Sequence, residues 1–97
     1  MATFLTLINW TDQGIRNIGD SPKRLDAAKK LAKKFGCTFK KSYMTVGAYD
    51  MACLIDAPDS ASVAKLALSI AKGGNVRTTT LRAFSEETYR AITKAVG

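Results

Sequence analysis

Residues 43–59 read YMTVGAYDMACLIDAPD, and the fold turns on how that stretch divides. Met51 to Ala57 is almost continuously apolar, the pattern of a strand covered on both faces and therefore central in its sheet. GAYD, residues 47–50, reads as the tip of a hairpin. Gly47 there permits a positive φ, and the Asp50 carboxylate can accept hydrogen bonds from turn amides. Upstream, Cys37 to Val46 is strand-like but interrupted by Lys40 and Lys41, and such charges suit a sheet edge. Downstream, Asp59 is placed to cap a helix from Ser60 to Lys72, which Gly73 and Gly74 end.

Working outward, Phe4 to Trp10 is a strand with apolar residues on both parities, Leu5 and Leu7 against Phe4 and Ile8, so both of its faces want cover. A short helical or turn-rich passage follows. Ser21 and Pro22 then supply an expected N-cap and first-turn proline for a helix to Phe35, with Gly36 as its stop. Leu25, Ala28, Leu31, Ala32 and Phe35 form the apolar stripe of that helix, and Lys29, Lys30, Lys33 and Lys34 lie outside it. Residues 75–84, NVRTTTLRAF, make a fourth strand of mixed, edge-like polarity. Ser85 caps a last helix, Glu86 and Glu87 sit favourably at its first turn, and Tyr89, Ile92 and Val96 share one side.

The resulting order, βαββαβ plus a terminal helix, predicts an α+β, ferredoxin-like fold with a four-stranded antiparallel sheet in the order 4-1-3-2. Both inter-strand helices then lie on one face. The other face is open, and Phe4 or Leu5 with Leu7 falls on it. Because a contiguous exposed apolar sheet is rare in monomers, a homodimer or higher homo-oligomer is expected, with Leu68 as a candidate for an extra contact.

The 97 residues predict one domain spanning 1–97. A 46% hydrophobic and 24% charged composition without a long apolar run predicts a protein that does not enter membranes. The opening MATFLTLINW reads as a strand, not as a targeting signal, so a cytoplasmic location is expected. Histidine is absent, which removes the usual activator of serine and cysteine nucleophiles and the commonest metal ligand; no cofactor and no metal are expected. Cys37 and Cys53 read as buried thiols. The net charge of +7 includes a dense group from Arg16 to Lys41. No stacking aromatics interleave with those lysines, so they read as a solvated face and predict no specific nucleic-acid partner.

With these segments in hand, YMTVGAYD, APD and GNVRTTTLRAF, together with NWTDQGIRNI and SPKRLDAAKKLAKKFG, resemble the GYD domain family of small bacterial proteins. The resemblance runs over nearly the whole chain. Ala48 fills the variable position of the Gly-x-Tyr-Asp stretch, and Lys40 and Lys41 make the second strand unusually basic. The family implies a ferredoxin-like fold of the dimeric α/β-barrel kind and an uncharacterised activity, so it adds fold and assembly but no reaction.

The candidate ligand-binding residues are Tyr43, Thr45, Tyr49, Asp50, Arg77 and Arg82, with Gly47, Tyr49 and Asp50 as the turn motif. Tyr43 and Thr45 share one parity of the second strand. On the fourth, Arg82 shares a parity with Thr78 and Thr80, and Arg77 lies on the other, so each face carries one arginine, expected to be solvated or paired with an acid such as Asp56. Strands two and four stand about 14 Å apart at opposite edges. Two functions fit: a non-catalytic assembly or small-ligand binding module, and a cofactor-independent, oxygenase- or isomerase-like enzyme with a pocket on the sheet face.

Overall fold

A computed structural model describes residues 1–97. Strand β1 (Ala2–Trp10) leads into a one-turn helix α1 (Asp12–Arg16), a 3-10 turn (Ile18–Asp20) and helix α2 (Ser21–Lys34). Strands β2 (Thr38–Met44) and β3 (Met51–Ala57) form the hairpin, followed by α3 (Ser60–Ala71), β4 (Val76–Ala83) and α4 (Glu86–Val96). The sheet order is β2-β3-β1-β4 with every pair antiparallel, the expected 4-1-3-2 arrangement. No helix is long and apolar enough to cross a membrane.

Parity sorts the two faces. Phe4, Thr6 and Ile8 of β1 and Cys53, Ile55 and Ala57 of β3 are buried beneath the helices, where Ala32 of α2 and Val63 and Leu66 of α3 complete the core. Thr6 is the one polar residue there, and its hydroxyl pairs with that of Thr80 at 3.2 Å, so its burial leaves nothing unsatisfied. The α2 stripe faces inward as its spacing requires, and Lys29, Lys30, Lys33 and Lys34 are exposed. Both cysteines are free and buried, and burial pushes their thiols up, with the Asp59 charge adding to the rise at Cys37.

Helix ends follow the local chemistry with one correction. Asp59 accepts from the Ser62 amide at 2.8 Å and caps α3. That hydrogen bond holds the Asp59 carboxyl below its usual range, so this cap is at full strength above the ordinary carboxylate pKa and is lost as pH falls through the lowered value. Ser85 caps α4 by accepting from the Thr88 amide. Ser21 is not a cap: the 3-10 turn runs directly into α2, which makes Asp20 the N-cap and puts Ser21 inside the helix with helical φ and ψ of −55° and −44°.

Helix α1 docks on the turn after α3. Thr11 donates from its amide to the Asn75 carbonyl (3.0 Å) and from its hydroxyl to the Gly74 carbonyl (2.6 Å). Gln13 Nε2 donates to the Gly73 carbonyl. The approach is so close that a Cβ on Gly14 would lie 2.1 Å from the Asn75 carbonyl oxygen. Glycine at this position is a packing requirement.

One irregularity matters for the site. Phe39 pairs with Ile55 and Lys41 with Leu54, so Lys40 is an extra residue, a β-bulge in the edge strand.

Candidate functional site

The sheet face away from the helices is uncovered, and its register can be followed strand by strand. Lys41 lies opposite Leu54, Leu54 opposite Leu5, and Leu5 opposite Leu81, a straight row across all four strands. The next row runs Tyr43, Ala52, Leu7, Thr79, and the row on the other side Thr38, Asp56, Thr3, Ala83. Leu5, Leu7 and Leu54 are half-buried only by their neighbours on the same face, and Leu81 is exposed. Three leucines in one row, flanked by Leu7, form an apolar band with a basic end at Lys41 and polar margins. Asp56 belongs to this face, where it accepts from the Thr3 hydroxyl (3.1 Å) and makes a long ion pair with Lys40 (4.0 Å).

The sequence candidates are divided among three places. Tyr43 and Arg77 are on the open face but at opposite edges, Arg77 standing across from Asn9 on β1. Arg82 is on the helix side of β4, opposite Phe4. Neither arginine forms an ion pair with Asp56; Arg82 instead lays its guanidinium over the Phe84 ring at 4.4 Å and near the Phe4 ring at 5.6 Å, and donates to the carbonyls of Thr3 (3.0 Å) and Ala83. That set of contacts ties the end of β4 and Phe84 to the start of β1.

Thr45, Tyr49 and Asp50 form the third place, the hairpin loop. Gly47 has φ +145° with open space around its Cβ position, so glycine serves the turn by conformation and not by room. The Asp50 carboxylate accepts from the Trp10 amide (2.9 Å), an amide of β1 and not, as expected, one of the turn. Its own amide donates to the Ile8 carbonyl (2.8 Å) and its carbonyl accepts from the Thr45 amide (2.8 Å). Thr45 Oγ1 donates to the Tyr49 carbonyl (2.5 Å), and Asn9 Nδ2 to the Ala48 carbonyl (2.9 Å). Asp50 thus splices the loop to the end of the neighbouring central strand, and its carboxylate is already engaged. Asp50→Ala should lower stability by about 1–2 kcal/mol, the worth of a charge-assisted hydrogen bond, while Asp50→Asn keeps most of it. Urea denaturation of the two variants checks this, and equal, negligible losses would count against the splice. Tyr49 is half-buried beside it.

Helix α4 was legible as a helix, but its isolation was not. Every one of its eleven residues is exposed. Tyr89 is 58% and Val96 84% exposed although both lie on the apolar side. Its internal supports are the Ser85 cap and an Arg90–Glu86 pair at 2.8 Å. The Tyr89, Ile92, Val96 stripe carried no signal of that isolation, since the open sheet face could equally have received it within the same chain.

On the other side of the sheet an apolar hollow of about 370 Å³ opens at the hairpin end, lined by Trp10, Ile18, Pro22, Leu25, Met44 and Met51 with Ser21. It draws on none of the six candidates. Its one hydroxyl and apolar walls offer no pair of groups for acid and base chemistry.

The GYD domain family model matches residues 4–93. A curated relative from Thermus thermophilus, named glutamine synthetase and cystathionine beta-lyase binding protein, is 34% identical over 84 residues, which is 86% of this chain and 88% of the relative. Among solved structures, the fold is similar to the crystal structure of a Mycobacterium tuberculosis leucine response regulatory protein, at a TM-score of 0.65 and 18% identity. The match covers 87% of this chain and 51% of the regulator, so this chain spans about half of that protein's length.

Proposed function

The chain belongs to the GYD domain family, and from that membership and the layout of its surfaces we propose that it is a non-catalytic, cytoplasmic binding module, a single domain over residues 1–97 that self-associates and docks on other proteins. The observation that carries this reading is the apolar row Leu54–Leu5–Leu81 on an open sheet face. Burying a leucine contributes roughly 1.5–3 kcal/mol, so a row of three with Leu7 beside it supplies a strong drive to pair with a second copy. The sharing-out of the candidate residues supports the same reading. Arg77 and Arg82 face opposite ways, Tyr43 stands at the far edge from Arg77, and the Asp50 carboxylate holds a backbone amide.

The kind of partner is suggested by the Thermus thermophilus relative, whose name makes it a binding protein of two metabolic enzymes. By that likeness the partner of this chain is one of those two enzymes, with glutamine synthetase the first to try. Light scattering at micromolar concentration should give twice the chain mass. Titration into glutamine synthetase from the same organism should give saturable heat in calorimetry. A monomer mass, or no heat with either glutamine synthetase or cystathionine beta-lyase, would overturn the corresponding half of the reading. An enzyme with its pocket between two sheet faces would instead show itself by turnover lost on substitution of Tyr43 or Arg77.

A further inference from the structure

Helix α4 is eleven residues long and rich in β-branched residues (Thr88, Ile92, Thr93, Val96), and an isolated helix of that length is marginal in water. Its apolar side needs a surface to lie on. Just before the helix leaves the body, Arg82 lies over Phe84 and near Phe4 and bonds to the Thr3 and Ala83 carbonyls, which ties the end of β4 to the start of β1. An arm fixed at its root and bare along its length is shaped for a neighbour.

The register says where a neighbour's matching surface lies. Facing two open sheets across a two-fold axis parallel to the strands places the β2 edge of one copy over the β4 edge of the other. Thr38 shares its row with Ala83 and Lys41 its row with Leu81, so the start of β2 comes over the root of the arm, with Lys41 one row back from it and its long side chain free to turn toward the acidic first turn, Glu86 and Glu87. Lys40, bulged out beside Lys41 and held within its own chain only by the long ion pair to Asp56 (4.0 Å), adds a second positive charge at the same level. At that end of the sheet a hollow of about 270 Å³ opens between α2 and the start of β2, lined by Lys29, Lys33, Cys37, Thr38 and Phe39. Size points the same way. The open face offers roughly fourteen side chains, four each from β1 and β4 and three each from β2 and β3, short of the twenty to thirty of a standard interface, and the contacting side of the arm, about half of its eleven residues, brings the total to the lower end of that range.

We propose that α4 is an exchanged arm: it crosses to a second copy of this chain, sets Glu86 and Glu87 against Lys40 and Lys41 there, and lays its Tyr89–Ile92–Val96 stripe on the end of the second copy where β2 begins. This rests on the dimer proposed above and assigns the arm to it instead of to the enzyme partner.

The test uses the full chain, with dimer dissociation constants read by sedimentation at about 50 mM salt, where surface charges are weakly screened. The double reversal Glu86→Lys, Glu87→Lys should raise the constant at least about tenfold, and adding Lys40→Glu, Lys41→Glu should bring it back to within about threefold. Rescue separates pairing across the interface from weakening of α4 itself, because the β2 substitutions do not touch that helix. Tyr89→Ser with Ile92→Ser, both at exposed positions, should weaken the dimer as well. A wild-type monomer would overturn the dimer and the arm with it. A wild-type dimer whose constant is unmoved by the reversals, or not restored by the fourfold exchange, would overturn the arm and leave the dimer standing.

Discussion

Gly14→Ala should destabilise the protein by about 3 kcal/mol and lower its Tm by at least about 10 °C. The direction runs against helix propensity, by which alanine is better than glycine by about 1 kcal/mol inside a helix. Contact decides it. A methyl at position 14 would sit 2.1 Å from the Asn75 carbonyl oxygen, and that atom is backbone, held by the Thr11 amide and flanked by the Gly73 and Gly74 carbonyls that take Gln13 and Thr11. Relief requires α1 to lift off the turn that joins α3 to β4. Gly19→Ala is the matched control, since nothing lies within 4 Å of its Cβ position, and its effect should stay within about 0.5 kcal/mol. Urea denaturation of the pair checks both values, and a Gly14→Ala protein as stable as the wild type would mean that the contact yields cheaply.

Leu5→Lys combined with Leu54→Lys should leave a folded monomer, with the dimer dissociation constant raised by at least about a hundredfold. The two leucines are direct cross-strand neighbours in the middle of the open face, so one pair of substitutions places two like charges where two apolar surfaces meet. Removing their burial alone forfeits at least about 3 kcal/mol. Neither side chain reaches the core beneath the helices, which is built from the opposite parity of the same strands. Cooperative thermal unfolding should therefore persist. Leu81→Lys, at the exposed edge of the same row, provides a milder version with less risk to the sheet. Sedimentation velocity across a concentration series reads the outcome, and a dimer of unchanged strength in both variants would rule out the open face as the interface.

Most of the architecture was legible because each element announced itself by more than one signal. Strand β3 was read from Met51 to Ala57 and is found there, since its apolar run, the glycine before it and the Asp59 cap after it agree. The edge positions of β2 and β4 followed from where lysines, threonines and arginines fall. The misplaced cap at Ser21 shows the limit of local chemistry: serine before proline is a good start signal, but the 3-10 turn that precedes it already holds the backbone in a helical course. At the candidate site, alternation correctly put Arg77 and Arg82 on different faces. What periodicity could not convey was reach across the fold. That the Asp50 carboxylate serves an amide forty residues away, or that Arg82 is taken up by two rings, depends on which strands become neighbours. The isolation of α4 was hidden for the opposite reason, because a stripe of apolar residues looks the same whether or not anything covers it.

The bulge in β2 has a consequence for how this chain tolerates insertion and deletion. A strand that loses one residue ordinarily turns all its later side chains over, exchanging core for solvent. Here Phe39 pairs with Ile55, Lys41 with Leu54 and Ser42 with Cys53, so deleting Lys40 would join Phe39 directly to Lys41 without moving any later pair off its face. The doubled lysine is thus a spare count in the reading frame of the sheet, a point at which this chain can lose one residue while Ser42, Tyr43 and Met44 keep their sides.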